Sequence, residues 1–190
     1  MRSREWPLII FTLLTQTVVG ALLTLEIIRV LAAGQYDEET ITTLTNPLLV
    51  FLAPVLAFSS LIALFHLGQP LRAFRVIANW RFSWLSREML LGVLFGAGVS
   101  LCAFLQWFEL GSAGIRAALA WSVIVIGVGL IYGMSSLYRL RTVPTWNTWT
   151  TPATFYTTML LLGALWVGAG LPILHLCPQA AHARLAGKKW

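Results

Sequence analysis

Five apolar stretches, each about as long as a bilayer core is thick, leave this chain very few folds to adopt. They run roughly from Pro7 to Ala33, Pro47 to His66, Met89 to Trp107, Ala117 to Leu137 and Phe155 to Leu176. An α-helix of about 20 residues crosses some 30 Å of hydrocarbon and bonds its own backbone throughout. The runs are too long and too uniformly apolar for barrel strands, which alternate their faces. Composition agrees, because only 11% of the residues are charged, under half of the ~25% usual in soluble domains. The sequence therefore predicts an all-α integral membrane protein of about five transmembrane helices, the first four forming a helix bundle. Residues 1–176 form one transmembrane domain, and residues 177–190 form a basic C-terminal tail.

Several other classes fall away on the same grounds. The charge-free run from Trp6 to Leu25 is longer than a signal-peptide core and has no small-residue cleavage site, so the first span is expected to stay as an anchor. Arg2 and Arg4 are split by Ser3 and make no twin-arginine signal. The net charge of +6 lies in the connections between spans and not along one amphipathic face. That distribution points to membrane lipid headgroups or an acidic protein surface, and not to nucleic acid. Cys102 and Cys177 have neither metal-ligand spacing nor the look of a disulfide framework, and read as apolar filler. Gly92 with Gly96, and Gly129 with Gly133, have the spacing that lets helices approach closely. Glu26 and Arg29, three apart near the end of the first span, are expected to pair on one helix face or to snorkel.

Alternating span direction fixes which helix ends meet. One face collects His66, Arg72, Arg75, Arg81, Arg87, Glu88, Arg139, Arg141 and the segment Val143 to Pro152, together with Arg2, Arg4, Glu5 and Trp6. The other carries Asp37, Glu38, Glu39, Glu109, Arg116, His175 and the tail. The positive-inside rule places the basic face in the cytoplasm, whereas arginines that dock a subunit could lie on either side, so both orientations stand.

The chemistry concentrates where the second span ends. From Thr40 to Leu71 there is no Asp, Glu, Lys or Arg, and His66 is the one side chain there that titrates near neutral pH. Gly68 and Pro70 then stop the helix, and Arg72 follows. With Glu88 opening the third span and Trp80, Trp84, Trp146 and Trp149 nearby, the face offers a proton acceptor, a fixed cation and a second titratable group at headgroup depth. A quinol fits such a site, because its oxidation needs a base for the hydroxyl proton and a cation beside the anionic intermediate. The plainer alternative is a histidine that complements a helix dipole, arginines that bind lipid phosphates and tryptophans that anchor the interface. A bis-histidine haem is excluded within the chain, since His66 and His175 end on opposite faces. No intramembrane charge near the middle of a span supports a transporter.

Four features in order resemble the membrane-anchor subunit family of anaerobic dimethyl sulfoxide reductase, within the wider polysulfide-reductase-type group. They are Glu5-Trp6-Pro7-Leu8, then His66-Leu-Gly-Gln-Pro-Leu-Arg-Ala-Phe74, then Leu85-Ser-Arg-Glu88, then Val143-Pro-Thr-Trp146 with Thr151-Pro152. The resemblance implies a multi-pass subunit of the inner (cytoplasmic) membrane that oxidises menaquinol and carries no haem or metal itself. It implies partners too: an iron-sulfur electron-transfer subunit and a molybdopterin catalytic subunit. It assigns quinol binding to positions matching His66, Arg72 and Glu88, with His66 and Glu88 moving protons. The family's site is usually placed on the periplasmic side, which docking by the basic loop would reconcile with the charge distribution. Family members are longer, with more spans, so this chain reads as a shortened anchor. The competing expectation is a purely structural tether for catalytic subunits, without a working quinol site.

Overall fold

A computed structural model describes residues 6–66, 81, 83–139 and 147–186, with the backbone alone for 65, 66 and 174–186. Five helices follow one another: α1 (Trp6–Ala32), α2 (Glu38–His66), α3 (Trp84–Trp107), α4 (Ala113–Tyr138) and α5 (Thr150–Ala186). All five are long and apolar enough to cross a membrane, and there is no strand among the described residues. The chain is a multi-pass membrane protein.

The helices begin where local chemistry starts them. Asp37 Oδ2 accepts hydrogen bonds from the Thr40 N–H at 3.2 Å and the Thr40 hydroxyl at 2.9 Å, which caps α2. Glu38 and Glu39 follow in the first turn, where a helix dipole favours negative charge. The second span therefore starts well before Pro47, because Pro47 and Pro54 both lie inside α2. Between α3 and α4 the chain reverses through left-handed backbone at Glu109 (φ 52°) and Gly111 (φ 77°). The Ser112 hydroxyl then accepts the Ile115 N–H and opens α4. The third, fourth and fifth helices likewise extend past the expected ends, α5 continuing to Ala186.

Packing closes α1, α2, α3 and α4 into a ring in which each helix meets its two neighbours, and α5 lies outside against α1, flanked by α2 and α4. The shared core runs through Val19, Leu22, Leu52, Phe95, Val99 and Ile124. Outward positions such as Phe51, Val125 and Leu165 stay exposed, as side chains facing lipid should. Hydroxyls on these surfaces bond back to carbonyls of their own helix, as Thr17 does to Leu13 and Ser122 to Ala118, both at 2.8 Å. A polar side chain is thereby carried in hydrocarbon without an unmet donor.

Close approach is made by glycines other than the two spaced pairs. A Cβ on Gly20 would collide with the Met159 carbonyl, and one on Gly163 with the Gly20 backbone, so α1 and α5 touch backbone to backbone. Gly92 and Gly96 meet nothing within 4 Å, and Gly129 and Gly133 make only ordinary contacts with Leu91 and Glu88.

Candidate functional site

Two consecutive antiparallel helices bring the end of α2, at His66, and the start of α3, at Trp84, to one end of the bundle. The His66 side chain, Arg72, and the loop segment from Val143 to Trp146 lie outside the described residues. Glu88 is described. It sits in the second turn of α3, and its Cα lies 3.7 Å from where a Cβ on Gly133 of α4 would be. Its Oε2 is buried and has no hydrogen-bond partner among the described residues. Such an oxygen breaks no hydrogen bond with the described residues when it gains or loses a proton.

Around Glu88 the same end of α3 and α4 is aromatic and cationic. The Trp84 and Tyr132 rings meet edge to face with centroids 5.7 Å apart, and the Arg87 guanidinium lies 4.6 Å from the Trp84 ring centre. Arg87 also donates to the Arg81 carbonyl at 2.9 Å. Beyond α4, Tyr138 packs on Phe155 of α5 at 5.5 Å between centroids. These rings belong at the headgroup level, where an amphipathic aromatic is stable. A groove of about 310 Å³ runs along α5 between Trp149 and Thr158, and neither Glu88 nor the end of α2 lines it. Among the described residues no group of three His, Cys, Asp or Glu side chains gathers as metal ligands would.

A second polar cluster sits at the opposite end of the bundle. Glu26 and Arg29 pair at 2.8 Å, with the Glu26 side chain only 2% exposed. Arg29 also donates to Thr45 Oγ1 at 2.9 Å and to Asn46 Oδ1 at 3.0 Å on α2. Gln106 of α3 donates to the same Asn46 oxygen. Of the two expectations for this pair, pairing on one face is the one realised, and the pair is also clamped across three helices.

Sequence reasoning missed two buried polar residues on α1, Thr15 and Gln16, whose side-chain oxygens have no partner among the described residues. The run Thr15-Gln16-Thr17 inside an otherwise apolar stretch was the available signal.

Among known proteins, residues 1–183 match the family described as DMSO reductase anchor subunit (DmsC). The anaerobic dimethyl sulfoxide reductase chain YnfH of Escherichia coli (strain K12) is 33% identical over 169 residues, which are 87% of this chain and 57% of that one. An anaerobic dimethyl sulfoxide reductase chain of Haemophilus influenzae is 30% identical over 163 residues, 84% of this chain and 56% of that one. A sulfite dehydrogenase subunit of Allochromatium vinosum is 31% identical over 118 residues, 53% of this chain and 33% of that one. The chain thus spans a little over half the length of the two sulfoxide reductase chains. No solved structure matches it.

Proposed function

This chain belongs to the DMSO reductase anchor subunit family, and from that premise we propose that it binds and oxidises menaquinol for an anaerobic respiratory complex. It passes the electrons to an iron-sulfur subunit that feeds a molybdopterin catalytic subunit, and it sits in the inner membrane. The observation that carries this reading is the buried Glu88 carboxyl oxygen, without a hydrogen-bond partner among the described residues, at the bundle end where α2 finishes with His66.

The quinol supplies two electrons and two protons when it reacts. His66 is the base that takes a hydroxyl proton, Arg72 is the fixed cation that orients the ring, and Glu88 takes up and releases a proton. The residues around Glu88 suit an amphipathic ring. Gly133 presents no side chain beside the Glu88 backbone, and Trp84 and Tyr132 offer apolar faces at the depth where the ring would lie.

The test is His66→Leu in the assembled membrane complex. Quinol-dependent electron transfer should be lost while the catalytic subunits stay attached, and quinol oxidation at the normal rate would overturn the assignment. A quinone-analogue titration gives a second measurement. Saturable binding supports the site, and its absence would leave the chain as a structural tether.

A further inference from the structure

The end of the bundle that carries Glu88 is unbalanced in charge. Arg2 and Arg4 precede α1, three arginines lie between α2 and α3, Arg87 stands in the first turn of α3, and two more follow α4. Helix order assigns all eight to this end, where the acids are Glu5 and Glu88. No Asp or Glu occurs between Glu39 and Glu88, and none follows Glu109. Anions from outside the chain must therefore balance this end, and lipid phosphates or an acidic protein can supply them. Where a cation sits on the bundle decides between the two.

Arg87 belongs to the flank of α3 and α4. Its guanidinium lies 4.6 Å from the Trp84 ring centre, and Trp84 meets Tyr132 of α4 edge to face. Both rings are exposed, by 40% and 43%. Tyr132 lies six residues before Tyr138, the end of α4, which puts it about 9 Å inward along the helix. Two turns further in, Leu94 on the side of Arg87 and Val125 on the side of Tyr132 are exposed as well. Between these levels Gly129 leaves a notch, because a Cβ there would meet among the described residues only Leu91 Cδ1, at 3.9 Å. Cation, ring pair, notch and apolar side chains thus follow one another with depth, in the order of a phospholipid's phosphate, glycerol esters and acyl chains. An acidic protein outside the bilayer meets the end of the bundle, whereas this flank faces lipid. Arginine suits the phosphate, since it stays charged and stacks on an aromatic face while donating in a planar fork. Its donation to the Arg81 carbonyl at 2.9 Å braces the guanidinium, and the positive end of the α3 dipole favours an anion at the same place.

We propose that Arg87, Trp84 and Tyr132 form a binding site for an anionic phospholipid on the lipid-facing flank of α3 and α4. The guanidinium holds the phosphate, the two rings lie against the glycerol esters, and the notch at Gly129 receives an acyl chain. The site does not rest on the quinol reading.

Photolabelling of the intact complex in nanodiscs tests this, with a diazirine midway along one acyl chain of phosphatidylglycerol or, for comparison, of phosphatidylcholine. In the unaltered protein the phosphatidylglycerol probe should mark Leu91, Leu94 and Val125 several-fold more than the phosphatidylcholine probe does. Phe51 of α2 and Leu165 of α5, exposed elsewhere on the bundle, should take both probes alike. Equal marking of the flank by the two probes would overturn the site, and that comparison decides even if a variant does not fold. Arg87→Gln should cut the preference for phosphatidylglycerol about fivefold. Gly129→Leu, which fills the notch, should lower the marking several-fold with the charge unchanged. Marking that neither variant alters would overturn the proposal. Loss of marking on adding millimolar inorganic phosphate would assign the guanidinium to a free phosphate, and release of the partner subunits by Arg87→Gln would assign it to a protein surface. Either result would also overturn the lipid site.

Discussion

Among single residues, Glu26 and Arg29 show how costly charge is inside a membrane domain. Glu26 is buried and Arg29 half-buried, and the remaining guanidinium donors reach Thr45 and Asn46. Removing one partner strands the other, so Glu26→Ala should destabilise the fold by about 3 kcal/mol. Exchanging both for apolar side chains, Glu26→Leu with Arg29→Met, should restore most of that loss in a detergent unfolding titration. Asp37 behaves differently because it lies outside the spans. Hydrogen bonds from the Thr40 hydroxyl and from backbone N–H groups hold its carboxyl below the usual range. A depressed carboxyl contributes stability above its unfolded value and loses it as pH falls through the folded one. The protection factors of the amides in the first turn of α2, corrected for the intrinsic pH dependence of exchange, should therefore be highest at neutral pH and fall in acid, and Asp37→Asn should flatten that dependence.

Between elements, the decisive contacts are made where no side chain intervenes. Gly20 and Gly163 let α1 and α5 meet at their backbones, so Gly163→Leu should separate the two helices and lower the unfolding temperature. Gly96→Ala is the control: its Cβ meets nothing, and alanine favours a helix over glycine by up to about 1 kcal/mol. That variant should be as stable as the parent or slightly more so. The repeated spacing of Gly92 and Gly96 drew attention in the sequence, but spacing reports only that small residues share a helix face. It does not say whether another helix lies against that face.

For the whole molecule, the number and order of spans could be read from charge-free runs, because the bilayer sets both length and composition. The start of α2 could not be read so easily. Pro47 looks like a helix opening, whereas Asp37 and Thr40 supply a cap earlier in the chain. Counting crossings groups His66, Arg72 and Glu88 on one face; the described residues bring Glu88 and the backbone end of α2 at His66 to one end of the bundle, and Arg72 lies outside them. The partners of Arg29 were not legible, because its contact with Asn46 and the Asn46 contact with Gln106 join residues 17 and 60 apart. Crossing number also gives a direct check. Single cysteines at Trp149 and at Glu109 in an otherwise cysteine-free chain should label with an impermeant maleimide from opposite sides of sealed vesicles. Labelling of both from one side would contradict five crossings.

The backbone contact of α1 with α5 also governs the order of events at synthesis. The first helix enters the membrane with a notch at Gly20 that the fifth fills. Until α5 emerges from the ribosome, four helices stand in lipid with that notch uncovered, open to any other small-residue helix nearby. A late helix thus closes onto an early one. A variant that slows the insertion of α5 should be removed by membrane proteases even when all its native contacts are intact.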